Sequence, residues 1–316
     1  MKHNFIAIAA LTLAALPLGA QAQTSIDLQN YALVGNYAVP ALGLLTLELS
    51  AVTYAADRGT LFVVGDEGFG IVELTLTGNI IGSMAFNWAG TGSSHNDAEG
   101  LTYLGGGQFV VVDERPQIGY RFNYTAGGSV TLAAQPQAPF GSTAGSVGNV
   151  GTEGISWDPR DGSFVSVKQD NPLQVRAGGL NFAVGGGTST MTTLFTGPTS
   201  LFGVNNFADV QTLSPVAALA GAPAANNLLI LSLDSRRLIE LDRSSGIVLS
   251  SLDLAGLGPQ AIEGLTVDTL GNIYIVAEDS GTPNSRLFVL SAVPEPGTWA
   301  LMFAGLAVLG WRLRAR

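Results

Sequence analysis

One repeating unit limits what this chain can fold into. Its clearest copy is DAEGLTYLGGGQFVVVDE, residues 97–114. A short polar start, with Asp97, Glu99 and Gly100, leads into a strand at 101–104. Three glycines, 105–107, then make a turn, because glycine supplies the positive backbone angles of a tight hairpin. A second run, 109–112, is wholly apolar and ends on Asp113-Glu114. An unbroken apolar run of that length predicts a strand buried on both faces. The unit returns as LSAVTYAADRGTLFVVGDE from Leu49, TEGISWDPRDGSFVSVKQD from Thr152 and IEGLTVDTLGNIYIVAED from Ile262. A weaker copy starts DVQTL at Asp209 and resumes at 228–234 after an insertion, 214–227. The spacing, about 50–60 residues, is that of a propeller or solenoid array. Each copy adds a third apolar run, at 71–74, 120–122, 174–175, 238–241 and 287–290.

Three to four strands in each of five units predict an all-β, five-bladed β-propeller, with blades set around a central channel. The alternating stretch 31–39 precedes the first unit and has no hairpin partner ahead of it. It is expected to complete the last blade and close the ring. The segment 133–151, rich in Gly, Ser, Pro and Ala, reads as a long surface connection. Gly178-Gly179 and the 185–187 triplet read as turns within the third blade. Composition agrees with a turn-rich β protein: charged residues make up 12% and glycines number 41. The formal net charge of −10 argues against nucleic acid and anionic membrane as partners and in favour of cations. There are no cysteines, so neither disulfides nor thiol chemistry is available.

The two ends read as sorting segments. Residues 1–22 carry Lys2, an apolar run at 5–18 and Ala20-Gln21-Ala22, the pattern of a secretory signal peptide removed by signal peptidase. From Val293 the chain reads VPEPGTWALMFAGLAVLGWRLRAR. Pro-Glu-Pro, an apolar run at 299–311 and closing arginines resemble the PEP-CTERM sorting signal. That resemblance implies a transient transmembrane helix, processing by exosortase, and export in a Gram-negative bacterium to the cell surface, outer membrane or exopolysaccharide matrix. A permanent tail anchor is the alternative. The expected division is 1–22 signal peptide, 23–292 propeller and 293–316 sorting segment.

The repeat wording resembles the SdiA-regulated family of exported propellers, distantly tied to NHL-repeat proteins. The segments that carry it are LSAVTYAADRGTLFVVGDEG, DAEGLTYLGGGQFVVVDER, EGISWDPRDGSFVSVK, LLILSLDSRRLIELDRSSGIVLSSLDL and AIEGLTVDTLGNIYIVAED. The resemblance implies five blades and a shared calcium site, and no activity.

Aligning the copies places Ser50, Glu99, Glu153, Gln211 and Glu263 at one register position near the start of each first strand. First strands line a propeller's channel, so these side chains are expected to converge on its axis. Carboxylates brought together without a cation repel one another. Calcium, which accepts six to eight oxygen ligands, would resolve that, with Gln211 adding an amide oxygen. Asp97 and Asp209, with Glu48, form an expected second acidic tier. The alternative is that each glutamate simply accepts hydrogen bonds from strand amides. The acids that end the second strands, Asp66-Glu67, Asp113-Glu114, Asp234 and Glu278-Asp279, read as structural acceptors for turn amides. His95, in SSHNDAEG, is the one weak catalytic candidate, and Ser94 beside it lacks an identifiable third partner. No hydrolase or nucleotide-binding signature is present.

The leading expectation is an exported calcium-binding propeller that acts as a binding or scaffold module, with the exopolysaccharide matrix or a small ligand as partner. The alternative is a metal-dependent hydrolase of the lactonase or esterase kind, in which the cation polarises a carbonyl.

Overall fold

The structure, a computed structural model, describes residues 22–41, 43–141, 147–148, 150–170, 172–279 and 282–293. The signal-peptide and sorting-helix expectations fall on residues outside these, apart from their edges. Among the described residues, no helix is long and apolar enough to cross a membrane.

Five antiparallel blades form the ring. Their inner strands, in order, are Leu49–Ala55, Ala98–Gly105, Thr152–Trp157, Asp209–Thr212 and Ile262–Val267. Each pairs with a nearly all-apolar second strand: Thr60–Gly65, Gln108–Asp113, Phe164–Lys168, Leu228–Ser232 and Ile273–Ala277. These second strands are buried almost throughout, because each is covered by a neighbouring blade on both faces. Between the first two blades the filling is aromatic: the Phe62 and Phe109 rings lie 4.5 Å apart and the Phe86 and Phe122 rings 5.2 Å apart.

The ring closes through Tyr31–Val39, which pairs antiparallel with Ser285–Ala292 as the outer strand of the fifth blade. The first and last parts of the fold are thereby hydrogen-bonded together, and the strand edge of Ser285–Ala292 is covered.

Two regions differ from a simple repeat. A blade of the second repeat running from about Asp97 to Leu132, as the repeat spacing predicts, does not keep its last strand. Ser129–Thr131 instead leaves it and pairs in parallel with Ile80–Asn87 at the edge of the first blade. Its place in the second blade is taken by Pro136–Pro139, which lies in the segment read as a surface connection and is flanked by fully buried Leu132 and Phe140. The third blade likewise lends Ala183–Val184 to the second. The insertion 214–227 is also more than a loop. It forms two short 3-10 turns, Ala217–Leu219 and Pro223–Asn226, that bury Leu219, Ala224 and Ala225 in the core beside the fifth blade. Its Ala224 N–H donates to Gln23 O, so it holds the start of the propeller in place.

Candidate metal centre and the two channel mouths

Strand register fixes which side chains share a level of the channel. Leu265 pairs with Ile275 and Thr266 with Tyr274; Val210 pairs with Ile230 and Gln211 with Leu229. Gln211 therefore corresponds to Thr266, and through the other blades to Thr53, Thr102 and Ser156. The residue level with Glu99, Glu153 and Glu263 in the fourth blade is Ala208. This corrects the alignment by three residues and takes Gln211 out of the metal set. Three residues of extended chain is about 10 Å, which puts Gln211 toward the opposite mouth. There its Oε1 accepts from Thr266 Oγ1 at 3.1 Å and its Nε2 donates to Thr212 O at 2.8 Å.

Asp209 moves as well. It stands level with Gly100, Gly154 and Gly264, the glycines of the Glu-Gly step. Those glycines are needed because inner strands approach closely. A Cβ on Gly264 would lie 2.8 Å from Ala51 Cα, and one on Gly154 would lie 1.9 Å from Asp209 Oδ1. At this level, which Ala51 completes in the first blade, Asp209 alone carries a polar side chain. Its Oδ2 accepts from Leu265 N–H in the next blade and its Oδ1 from Val210 N–H, both at 2.7 Å. Burial raises its pKa well above the usual range against the pull of these two amides. Asp209 thus joins two inner strands and does not form an acidic tier with Asp97. Glu48 is exposed, and its carboxyl is raised by partial burial and then by the charges of Glu278 and Glu67.

The remaining acids do gather. One oxygen each from Asp66, Asp97 and Glu99 lies within 4.8 Å of the others. Asp97 is fully buried, and among the described residues neither of its oxygens accepts a hydrogen bond. Arg115 Nε lies 3.3 Å from its Oδ2. No hydrogen bond to the carboxylates of Glu99, Glu153 or Glu263 is formed by the described residues. Burial drives Glu99 and Glu153 well above the ordinary carboxyl range, and mutual repulsion adds to it: Asp66 and Glu263 act on Glu99, and Glu99 and Glu114 on Glu153. Glu263 is raised to about 8, by burial and then by Glu278 and Asp66. Asp66 is pushed up by burial and then by Asp97.

Asp66 and Glu114 are the members that sequence reasoning assigned elsewhere. Each ends a second strand, and an antiparallel hairpin returns that end to the level where the first strand starts. The hydrogen bonds Asp66 N–H to Glu48 O and Glu114 N–H to Asp97 O show this. Glu114 keeps a partly structural role, since its Oε1 accepts from Gly151 N–H at 2.5 Å, but its buried Oε2 has no hydrogen-bond partner among the described residues. Glu67 is exposed and points away. His95 is exposed on the loop before Asp97, with its Nδ1 2.7 Å from Ser94 Oγ.

The opposite mouth is neutral and fully stitched. Tyr103 N–H donates to Thr53 Oγ1, Trp157 N–H to Thr102 Oγ1, Thr212 N–H to Ser156 Oγ and Tyr54 N–H to Thr266 Oγ1, at 3.0–3.2 Å. Each bond joins one inner strand to the next.

A ring of five short-looped blades with a sorting segment behind it defines a class, the exported β-propellers. The chain belongs to the SdiA-regulated family, whose family model matches residues 23–288. The PEP-CTERM protein-sorting motif matches residues 292–316, which implies exosortase processing and export in Gram-negative bacteria. Among solved structures, the chain is similar to the glutaminyl cyclase of Myxococcus xanthus, at 14% identity over 83% of this chain and 95% of that one, with a TM-score of 0.52. A luciferin-regenerating enzyme matches at 11% identity, over 83% and 96% of the two chains, with a TM-score of 0.46. These likenesses concern the fold.

Proposed function

We propose that the chain is an exported calcium-binding propeller that serves as a binding or scaffold module at the cell surface or in the extracellular matrix. The observation that carries this reading is the acidic mouth. Asp66, Asp97 and Glu99 converge within 4.8 Å, and the buried Asp97 oxygens accept no hydrogen bond from the described residues. Arg115, 3.3 Å from Asp97 Oδ2, is one cation against the acids Asp66, Asp97, Glu99, Glu153 and Glu263. Buried carboxylates in excess of the cations beside them are costly unless further positive charge meets them. An all-oxygen, irregular donor set fits a hard cation such as calcium better than a transition metal, since no imidazole or thiolate takes part. Asp66, Asp97 and Glu99 would hold the ion, with Glu153 and Glu263 facing it from the neighbouring inner strands. The ion would neutralise their repulsion and lock the blades together at this end. Elemental analysis of the purified protein, paired with thermal melts in calcium and in chelator, tests the reading. Absence of calcium together with identical melts would remove it.

A metal-dependent hydrolase is the second reading. What favours it is the Ser94–His95 pair on the loop that leads into Asp97. A screen of lactones and aryl esters, repeated on His95→Ala, decides it: turnover that disappears in the variant supports an enzyme, and absence of turnover removes this reading.

A further inference from the structure

The mouth opposite the acids opens into a cavity of about 220 Å³. Tyr54, Tyr103 and Trp157 stand in its walls, one from each of three successive inner strands, and Thr53, Thr102 and Gln211 lie one residue deeper. These are equivalent positions in the blades, so the cavity sits on the channel axis. No lysine or arginine lines it. Its one acid, Asp57, is already engaged, accepting from Tyr103 Oη at 2.6 Å and Gly106 N–H at 3.2 Å.

The donors decide what fits. Thr53 and Thr102 are buried, and each hydroxyl oxygen accepts a strand N–H. Neither hydroxyl proton is given to an acceptor among the described residues, although the neighbouring Thr266 gives its own to Gln211. Trp157 Nε1–H has no partner there either. The lining therefore offers three neutral donor groups alongside the rings of Tyr54, Tyr103 and Trp157. Such a site asks for oxygen acceptors along one edge of a ligand and an apolar face to lie against the rings. Anions gain no cationic partner here, and cations meet donors. The volume is below that of a drug-sized site, which limits the occupant to a single ring.

We propose that this mouth is a binding site for a neutral pyranose ring, either a free monosaccharide or the terminal sugar of a glycan. A hexopyranose combines oxygen acceptors at its rim with a face of C–H groups. The site is separate from the acidic mouth and owes nothing to a cation.

Calorimetric titration of the full chain in chelator tests it. The probes are the methyl glycosides of glucose, galactose and mannose, together with dextran, cyclohexanol and myo-inositol. At least one glycoside is expected to saturate at millimolar concentration, while cyclohexanol, which lacks the rim of acceptors, binds at least fivefold more weakly; myo-inositol, which shares both the rim and a face of axial C–H groups, shows whether the ring oxygen is needed. Dextran binding alongside the glycoside assigns the site to glycan ends; glycoside binding alone assigns it to free sugars. Trp157→Phe keeps an aromatic ring in the cavity wall and removes the indole donor together with some ring area. It is expected to weaken the glycoside about fivefold with an unchanged melting temperature. Tyr54→Ala, which opens one wall, is expected to weaken it more. No glycoside binding up to about 50 mM would overturn the proposal, as would cyclohexanol binding as well as the sugars. Equal glycoside affinity in both variants, each melting cooperatively, would overturn it too.

Discussion

The two mouths of the channel are built from the same five inner strands and differ only in which residue each strand places at each level. At one mouth the level holds Ser50, Glu99, Glu153, Ala208 and Glu263, and three of these five side chains are carboxyls that accept no hydrogen bond from the described residues. At the other it holds Thr53, Thr102, Ser156, Gln211 and Thr266, and backbone N–H groups of neighbouring strands are satisfied there by hydroxyls. At the neutral mouth the strands are joined to one another by bonds made within the ring, and the donors left over face a cavity. At the acidic mouth Arg115 meets Asp97, and the other carboxyls are left to repel one another unless a further cation joins them. A shift of three residues along the strands therefore separates a level that joins the ring from a level that asks for positive charge.

The largest effect should come from breaking both mouths at once. Tyr31–Val39 closes the ring against Ser285–Ala292, and Leu28 just before it is fully buried in the core beside the fifth blade. Deleting residues 23–39 should leave a chain with no cooperative thermal transition by circular dichroism. A truncated form that melts as sharply as the parent would show that closure depends on the inner strands alone.

The next effect separates the mouths. The raised carboxyls hold protons more tightly in the folded than in the unfolded chain. In chelator, stability should therefore be unaffected below about pH 4, the unfolded value, and should fall as pH rises toward about 8, the folded value of Glu263. Calcium should cancel that fall, so its stabilising effect is larger at pH 8 than at pH 5. At a hundredfold excess over the dissociation constant it amounts to about 2.7 kcal/mol. Glu153→Gln should melt higher than the parent in chelator at pH 8 and lose most of the calcium response. Denaturant titrations at the two pH values measure both. A parent whose stability rises between pH 5 and pH 8 in chelator would mean that the acids are already neutralised within the protein.

Much of this arrangement is legible in the sequence, and the failures have physical causes. The Glu-Gly steps at 99, 153 and 263 mark inner strands because a glycine there lets the next strand approach closely, as Gly264 does to Ala51. The first blade has Ser50-Ala51 at this level, and the fourth lacks the step entirely. Asp209 occupies the glycine level and gains two amide bonds in return, so an alignment on the nearest polar residue lands on Gln211, three residues late. The exchange of Ser129–Thr131 for Pro136–Pro139 is invisible for a different reason. It pairs strands from different blades, and periodicity within a segment carries no record of its remote partner. Asp66 was readable in principle, since the end of a hairpin's second strand must return to the level of the first strand's start.

A smaller effect belongs to the stitched mouth. Thr102→Val keeps the shape of the side chain but leaves Trp157 N–H without its acceptor. The expected cost is about 1–3 kcal/mol in both calcium and chelator, so the calcium response itself is unchanged. Thr102→Ser should restore most of the stability. If the valine variant altered the calcium response, the two mouths would be coupled through the inner strand rather than independent.

The smallest effect sharpens the boundary of the acidic mouth. Asp66 and Glu67 are neighbours at the end of Thr60–Gly65, and composition cannot tell them apart. The structure can, because Asp66 lies with Asp97 and Glu99 while Glu67 is exposed with a positive φ of 55°. That backbone angle turns Glu67 outward, so its charge meets water, where screening leaves it little influence on an ion in the channel. Glu67→Gln should change stability by less than about 0.5 kcal/mol and leave the calcium response whole. Asp66→Asn should diminish that response while keeping the fold, because the amide retains one oxygen but not the charge. Calcium titrations followed by melting temperature compare the pair directly. Equal behaviour of the two variants would mean that net charge at this rim, rather than the convergence of Asp66, Asp97 and Glu99, governs the response to calcium.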